Sequence, residues 1–120
     1  MLSSVSPKLP YIDKSATKEF YTEGLVFELV SEYPEYLILK RDKIELHFFP
    51  YPSLKPDKSD FMIYVRLSEG IEDFYKEIQQ RGVRIHPNGA METKPWNQKE
   101  FSILDPNGTL LTFGQAVIPA

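Results

Sequence analysis

The sequence of 120 residues contains no cysteine. Disulfide bonds, thiolate metal sites and a cysteine nucleophile are therefore excluded, and the composition fits a reducing compartment, so we predict a cytoplasmic location. No apolar run approaches the roughly 18 residues that a transmembrane helix needs, so we expect no membrane partner. The first residues lack the basic and apolar regions of a signal peptide, and we expect none.

Basic residues are slightly fewer than acidic ones. The chain has 14 Lys and Arg against 17 Asp and Glu, which gives a formal net charge of -3. Because nucleic-acid binding depends on basic residues that neutralise phosphates, we expect no nucleic-acid partner; a cationic ligand suits this charge better. Only two histidines are present, and lone histidines are more often structural than catalytic. No Ser-His-Asp spacing, phosphate-binding glycine loop or acid/base pair of carboxylates is found, so we predict no catalytic residue.

The most informative stretch is a hairpin pattern near the C-terminus. Apolar residues alternate with polar or small ones along both arms: Phe101, Ile103, Leu111 and Phe113. Between the arms lies Asp105-Pro106-Asn107-Gly108, whose residue types favour a turn. Just ahead lies Trp96, the only tryptophan, on a segment flanked by proline and asparagine that we expect to be irregular and near the surface. A lone tryptophan can also be plain core, because buried aromatics dominate core energetics.

The whole chain reads as one domain, 1–120, made of two similar halves. The first half, about 5–50, predicts a strand at 9–12, a helix capped by Asp13 or Ser15 that ends at Gly24, and strands at 25–30, 36–41 and 43–49. A proline-rich linker follows at about 51–59. The second half, about 60–116, predicts a strand at 61–67, a helix opened by Ser68 or Glu69 that ends at Gly82, and strands at 83–86, 99–104 and 109–115.

Both halves therefore predict the order βαβββ. The two helices also share a local phrase, Glu19-Phe20-Tyr21 and Asp73-Phe74-Tyr75. That phrase alone can be coincidence, and the matching order of elements is what favours a repeat. We predict an α+β fold in which two βαβββ modules form a curved mixed sheet.

Period-2 alternation sorts the strand residues between two faces. The apolar set must cover the helices, and the other set faces the opposite side, where curved sheets enclose a cleft. The cleft-facing residues selected as candidate ligand contacts are Glu45, His47, Phe49, Tyr36, Asp60, Met62 and Tyr64. Their aromatic and methionine side chains can alternatively pack a dimer interface, where such residues are enriched.

The chain resembles the bleomycin resistance proteins of the glyoxalase/vicinal-oxygen-chelate superfamily. The stretches that carry the resemblance are 7–10, Glu19-Phe20-Tyr21 with Leu25-Val26-Phe27, 36–56 with Phe48-Phe49, and 96–111 with its Asp-Pro-Asn-Gly turn. Residues 87–94 show no clear match. The resemblance covers most of the chain and implies a homodimer, often with an exchanged N-terminal strand, that holds two ligand clefts at the subunit interface.

In those resistance proteins the basic glycopeptide drug is sequestered and not altered. Its planar bithiazole lies between aromatic residues, and Trp96 and Tyr36 occupy the matching positions here. Aromatic faces stack on a flat heterocycle, and a cation gains from nearby carboxylates and ring faces. The candidate carboxylates for the drug's positive charge are Asp60, Glu45, Glu32 and Glu35.

The superfamily's enzymes hold a divalent metal with four His, Glu or Gln ligands. The matching positions here are Ser6, Phe49, Asp60 and Thr112. Only Asp60 is a good ligand. Because a phenylalanine occupies another of the four positions, the ligand set that a divalent metal needs is incomplete. Two other possible ligands near these positions, His47 and Gln115, do not rebuild a set of four. The resemblance therefore implies no metal, no cofactor and no enzymatic activity.

The resulting prediction is a non-enzymatic, drug-binding homodimer in the cytoplasm. One open alternative is a superfamily enzyme of the lyase or dioxygenase type that acts on a small metabolite; a tightly bound metal and loss of activity on chelation would favour it. A second alternative is a binding module for an unrelated metabolite or a partner protein. Its cleft would show no preference for flat, cationic ligands.

Overall fold

Two four-stranded mixed sheets and two short helices make up the fold in a computed structural model that describes residues 1–118. The first half contains β1 (Lys8–Tyr11), α1 (Lys14–Glu19), a π-helical turn (Phe20–Gly24), β2 (Glu28–Tyr33), β3 (Tyr36–Arg41) and β4 (Ile44–Pro50). The second half contains a 3-10 turn (Pro56–Lys58), β5 (Met62–Leu67), α2 (Ile71–Gln80), β6 (Glu92–Thr93), β7 (Gln98–Leu104) and β8 (Leu110–Ala116).

The two sheets have the same topology. Their strand orders are β1-β4-β3-β2 and β5-β8-β7-β6. In each sheet the first strand pairs in parallel with the last strand, and the other pairs are antiparallel. The predicted α+β fold of two βαβββ modules is confirmed. Proline lacks a backbone N–H and is therefore tolerated mainly in edge strands, and β1 is an edge strand.

One predicted strand and the predicted starts of two further elements were wrong. Residues 83–86 contribute only an isolated bridge between Ile85 and Ile103, and the two-residue β6 forms the fourth strand of the second sheet. Helix α2 begins at Ile71 with Gly70 as its N-cap, so neither Ser68 nor Glu69 caps it. Strand β2 begins three residues later than predicted, because Val26 adopts a positive φ of 59° that interrupts the extended chain.

The core lies on the helix-facing side of both sheets, as the alternation predicted. The fully covered side chains of β3 and β4 are Leu37, Leu39, Leu46 and Phe48, and those of β7 and β8 include Phe101, Ile103 and Leu111. Each such side chain stabilises the fold by roughly 1.5–3 kcal/mol through burial. The intervening residues of the same strands are left for the opposite face. Among residues 1–118 no helix has the length and apolar character needed to cross a membrane.

The Asp105-Pro106-Asn107-Gly108 turn connects the two halves of the chain. The Tyr21 hydroxyl donates to Asp105 Oδ2 at 2.7 Å. The Ile12 backbone N–H donates to Asn107 Oδ1 at 2.8 Å, and Asn107 Nδ2 donates to Thr17 Oγ1 at 3.0 Å. Both turn side chains are buried. The turn therefore joins β1 and α1 to the C-terminal hairpin through satisfied buried polar groups.

The Tyr21 contact predicts alkaline sensitivity. Burial, and then the neighbouring Asp105 carboxyl group, raise the pKa of the Tyr21 phenol well above its ordinary value of 10.0. The folded state keeps this proton where the unfolded chain releases it, so stability that is present below pH 10 is lost as the pH rises further. One proton contributes a slope of up to about 1.4 kcal/mol per pH unit. Urea unfolding at a series of pH values between neutrality and the alkaline limit measures it.

Tyr21→Phe is the control for this slope. It removes one donor to Asp105 and lowers stability at neutral pH. Above pH 10, however, it should show a shallower decline than the wild type, because one titrating group is gone. Equal slopes in the two proteins would contradict the assignment.

Candidate functional site

Trp96 lies at the tip of the hairpin that joins β6 to β7. The Asn97 N–H donates to the Lys94 carbonyl at 3.0 Å, and the Lys94 N–H donates to the Gln98 carbonyl at 2.8 Å. Pro95 presets φ in this turn, and Asn97 takes a φ of 60°, which asparagine tolerates better than most residues. The Trp96 side chain is 61% exposed. The surface position is confirmed, and the alternative that Trp96 is core is wrong.

A buried carboxylate holds this exposed indole in place. Trp96 Nε1 donates to Glu100 Oε2 at 2.9 Å, and the Tyr64 hydroxyl donates to the same oxygen at 2.7 Å. Glu100 is only 7% exposed, whereas Tyr64 is 45% exposed. Burial, and then the hydrogen bond to Glu100, raise the pKa of the Tyr64 phenol above its ordinary value. The result is an aromatic pair with fixed orientations on the surface of the second sheet.

Glu100 was not among the predicted site residues. It alternates with the core residue Phe101 in β7, so it belongs to the same face as Ser102, whose hydroxyl hydrogen-bonds that of Thr112 at 2.9 Å. The alternation argument that selected residues on other strands would have selected Glu100 if it had been applied to β7.

Tyr64 packs directly on a glycine of the neighbouring strand. Strands β5 and β8 pair in parallel, with Tyr64 opposite Thr112. The Tyr64 ring lies over Gly114, two residues further along β8. A Cβ atom built on Gly114 would overlap the Tyr64 hydroxyl and ring. The absence of a side chain at this position therefore allows the phenol to reach Glu100.

We expect Gly114→Ala to displace Tyr64 and break its hydrogen bond to Glu100. Overpacking of this kind costs about 1–3 kcal/mol in the free energy of unfolding. In a Tyr64→Ala background the same change should cost less than about 0.5 kcal/mol or become stabilising, because the obstructing ring is absent. Chemical denaturation of the four proteins in this cycle measures the difference. A cost for Gly114→Ala that is the same in both backgrounds would contradict the packing argument.

Three predicted residues on the first sheet form a second cluster. The Tyr36 hydroxyl lies 2.8 Å from His47 Nδ1, and His47 Nε2 lies 2.7 Å from Glu45 Oε1. Strand pairing explains the contact, since Tyr36 lies on β3 near Ile38, the register partner of His47 on β4. Lys8 of β1 extends over the Tyr36 ring at 5.6 Å. A carboxylate, an imidazole and a phenol thus form a hydrogen-bonded chain on one face.

The remaining predicted residues extend these two surfaces. Phe49 is half-buried, with its ring 6.2 Å from that of Phe61, while Asp60 is exposed. Met62 is 68% exposed on the same face of β5 as Tyr64. Within residues 1–118 no hydrogen bond or ion pair joins the first-sheet cluster to the aromatic pair of the second sheet. The structure therefore places the predicted residues in two separate groups.

Two depressions of the described surface lie away from both groups. A depression of about 420 Å³ lies at the start of α2, next to Lys99 and Gln115. Another, of about 610 Å³, lies between the β3–β4 turn and α2, next to Arg41 and Glu77. No predicted contact residue lines either of these depressions.

The side chains at the superfamily's metal positions do not fit a metal. Within the described part of the chain no group of three or more His, Cys, Asp or Glu side chains is placed to hold an ion. The Thr112 hydroxyl hydrogen-bonds Ser102, and the Gln115 side-chain oxygen accepts the N–H of Ile71 at the start of α2. His47 is engaged by Tyr36 and Glu45. Most of the candidate donors are thus held by other protein groups.

Comparisons with known proteins identify the family of the chain. The family model described as the glyoxalase/bleomycin resistance protein/dioxygenase superfamily matches residues 6–113. The chain belongs to this superfamily. A bleomycin resistance protein of Klebsiella pneumoniae is 33% identical over 116 residues, which cover 92% of this chain and 90% of the relative.

Two solved structures of superfamily proteins are also similar. One is a bleomycin-binding protein complexed with bleomycin, with a TM-score of 0.85 and 33% identity over 95% of this chain and 98% of that one. The other is a bleomycin resistance determinant encoded on transposon Tn5, with a TM-score of 0.87 and 31% identity over 98% of this chain and 100% of that one.

Proposed function

We propose that the protein binds basic glycopeptide drugs of the bleomycin type and sequesters them without chemical change. The observation that carries the proposal is the fixed, exposed aromatic pair of Trp96 and Tyr64. A tryptophan that is 61% exposed contributes little to the core. Its hydrogen bond to a buried carboxylate nevertheless holds it in one orientation. A flat heterocycle gains most from a ring that is already positioned, because little side-chain entropy is lost on binding.

The site requires a second copy of the chain. Within residues 1–118 no hydrogen bond or ion pair joins the first-sheet cluster of Tyr36, His47 and Glu45 to the second-sheet aromatic pair. We place the drug between the first sheet of one subunit and the second sheet of its partner, with Trp96 and Tyr36 on opposite sides of its bithiazole. Phe49, Asp60 and Met62 complete the walls of each cleft.

Exchange of the N-terminal strand between subunits is a separate question. In the described chain β1 pairs with β4 of the same chain, with Leu9 opposite Phe48. Exchange of β1 therefore stays a prediction for the dimer, and the drug site proposed here does not depend on it.

Carboxylates on both surfaces suit a basic drug. Within residues 1–118 the Glu45 side chain bonds only His47, and Asp60 is exposed. Glu32 is the weakest of the predicted candidates, because Lys18 pairs with it at 2.9 Å and Lys14 approaches it at 3.8 Å. The hydrogen bond from Lys18 lowers the pKa of the Glu32 carboxyl group. The chain thus already neutralises Glu32, and Glu45, Asp60 and Glu35 stay available for a ligand cation.

Recovery of intact drug tests sequestration against catalysis. We expect purified protein to elute as a dimer in size-exclusion chromatography with light scattering, to bind bleomycin, and to release it on denaturation with an unchanged mass. Bleomycin recovered with a changed mass, or a time-dependent loss of the drug that chelators prevent, would favour the enzyme alternative. A monomer that binds the drug tightly would contradict the shared cleft.

A further inference from the structure

Glu100 is a buried carboxylate without a cationic partner in the described chain. It is 7% exposed, and both of its hydrogen bonds, from Tyr64 and Trp96, end on Oε2. Within residues 1–118 neither a hydrogen bond to Oε1 nor an ion pair to the carboxylate is found. Buried charges in proteins are normally paired, because an uncompensated one is costly. A carboxylate that lacks its counter-charge in the protein is therefore suited to receive one from a ligand.

The nearby basic side chains do not pair with Glu100 in the described part of the chain. Arg66, on the same face of β5 as Tyr64, lies over the Tyr64 ring at 5.7 Å and donates to Gln98 at 3.3 Å. Lys99, the neighbour of Glu100 in sequence, points to the opposite face of the sheet and pairs with Glu72. The two hydrogen-bond donors that reach Glu100, a phenol and an indole, are both neutral. They orient the carboxylate without neutralising it.

The exposed face of the Trp96 ring beside the carboxylate adds a second contribution. Aromatic rings attract cations through their quadrupoles, with tryptophan the strongest. A carboxylate bonded to the edges of a tryptophan and a tyrosine is a combination suited to ammonium and guanidinium groups. The low exposure of Glu100 strengthens such an interaction, because little water screens it.

We propose that Glu100, with Trp96 and Tyr64, forms a subsite for a cationic group of the ligand, an organic ammonium or a guanidinium. The subsite rests on the proposed function, since it lies on the face assigned to the drug. It also assigns Glu100 a second role as the positioning residue for both rings.

Glu100→Gln separates the two roles. The glutamine side-chain oxygen can accept both hydrogen bonds that now end on Oε2, so the rings keep their positions. Only the charge and the unpartnered oxygen are lost. The free energy of unfolding should stay the same or rise, because an unpaired buried charge has been removed. The indole N–H resonance of Trp96 should stay near its wild-type position, which checks the geometry.

Two probes are titrated into the wild type and into Glu100→Gln: bleomycin, and benzyltrimethylammonium chloride as a simple aromatic cation. Trp96 fluorescence reports binding. We expect Glu100→Gln to bind both probes at least about tenfold more weakly, and its bleomycin affinity to depend less on salt. The neutral analogue benzyl alcohol should bind the two proteins equally.

The outcomes distinguish this inference from the proposed function. If the wild type binds bleomycin and Glu100→Gln binds both probes equally well, the cation subsite is wrong and the proposed function stands. If the wild type binds only benzyltrimethylammonium, in a Glu100-dependent way, the subsite stands and the drug is the wrong ligand. If the wild type binds neither probe, both are overturned. Loss of stability together with a shifted indole resonance in Glu100→Gln would reduce Glu100 to a structural role.

Discussion

We expect Trp96→Ala to lose at least about 30-fold of the proposed affinity for bleomycin, which corresponds to roughly 2 kcal/mol. We expect its free energy of unfolding to fall by no more than about 1.5 kcal/mol, because the 61% exposed side chain contributes little to the core and the variant loses one of the two hydrogen bonds to Glu100. The reason for the large binding effect is the loss of a positioned stacking surface. Calorimetric titration and urea denaturation of the same preparations measure the two quantities.

Trp96→Phe is the matched control. It keeps an aromatic face and loses the hydrogen bond to Glu100. We expect an intermediate loss of affinity, since the ring can still stack while its orientation is no longer fixed. A Trp96→Ala protein that binds bleomycin normally would remove the indole from the site. A Trp96→Ala protein that unfolds readily would show that the Trp96 side chain has a structural role.

Asp105→Ala has the largest expected effect on stability. It leaves three buried donors without an acceptor: the Tyr21 hydroxyl and the backbone N–H groups of Asn107 and Thr109, which bond Asp105 at 2.7, 2.8 and 3.0 Å. Each unsatisfied buried donor costs about 1–3 kcal/mol, and we expect a total loss of about 3–5 kcal/mol. That is a large part of the stability of an ordinary domain. Thermal and urea unfolding measure the loss.

Two neighbouring variants bracket this effect. Asp105→Asn keeps an acceptor for both backbone donors and should cost less than half as much as the alanine variant. Thr109→Val should be neutral or stabilising by about 1 kcal/mol, because the buried Thr109 hydroxyl has no hydrogen-bond partner in the described structure. A mild Asp105→Ala phenotype, close to that of Thr109→Val, would mean that the turn does not connect the two halves.

Local patterns were enough to predict most of the fold. Alternation in β3, β4, β5 and β8 identifies the buried faces, because a half-buried strand repeats every two residues. Strand β6 could not be found in this way, since its two residues are too short to show a period. Residues 83–86 look like a strand because Val83 and Ile85 alternate, yet Val83 instead packs next to Gly24. In residues 83–86 this packing contact, and not the local alternation, determines the structure.

The site was predictable only where it depends on one strand or one turn. The surface position of Trp96 follows from its proline and asparagine neighbours, and Tyr64 and Met62 follow from alternation. The turn at Asp105 was predicted, but its burial was not, because polar turn residues normally indicate solvent exposure. Its partners, Tyr21 and Ile12, lie 84 and more residues away in sequence. Such contacts depend on how the two halves pack, which local patterns do not encode.

The most direct test is calorimetric titration of the purified, metal-free protein with bleomycin, with Trp96 fluorescence followed in the same samples. The proposed function predicts sub-micromolar binding at one site per subunit, accompanied by quenching of the indole. Neither heat nor quenching would contradict drug binding and leave only the fold and the family.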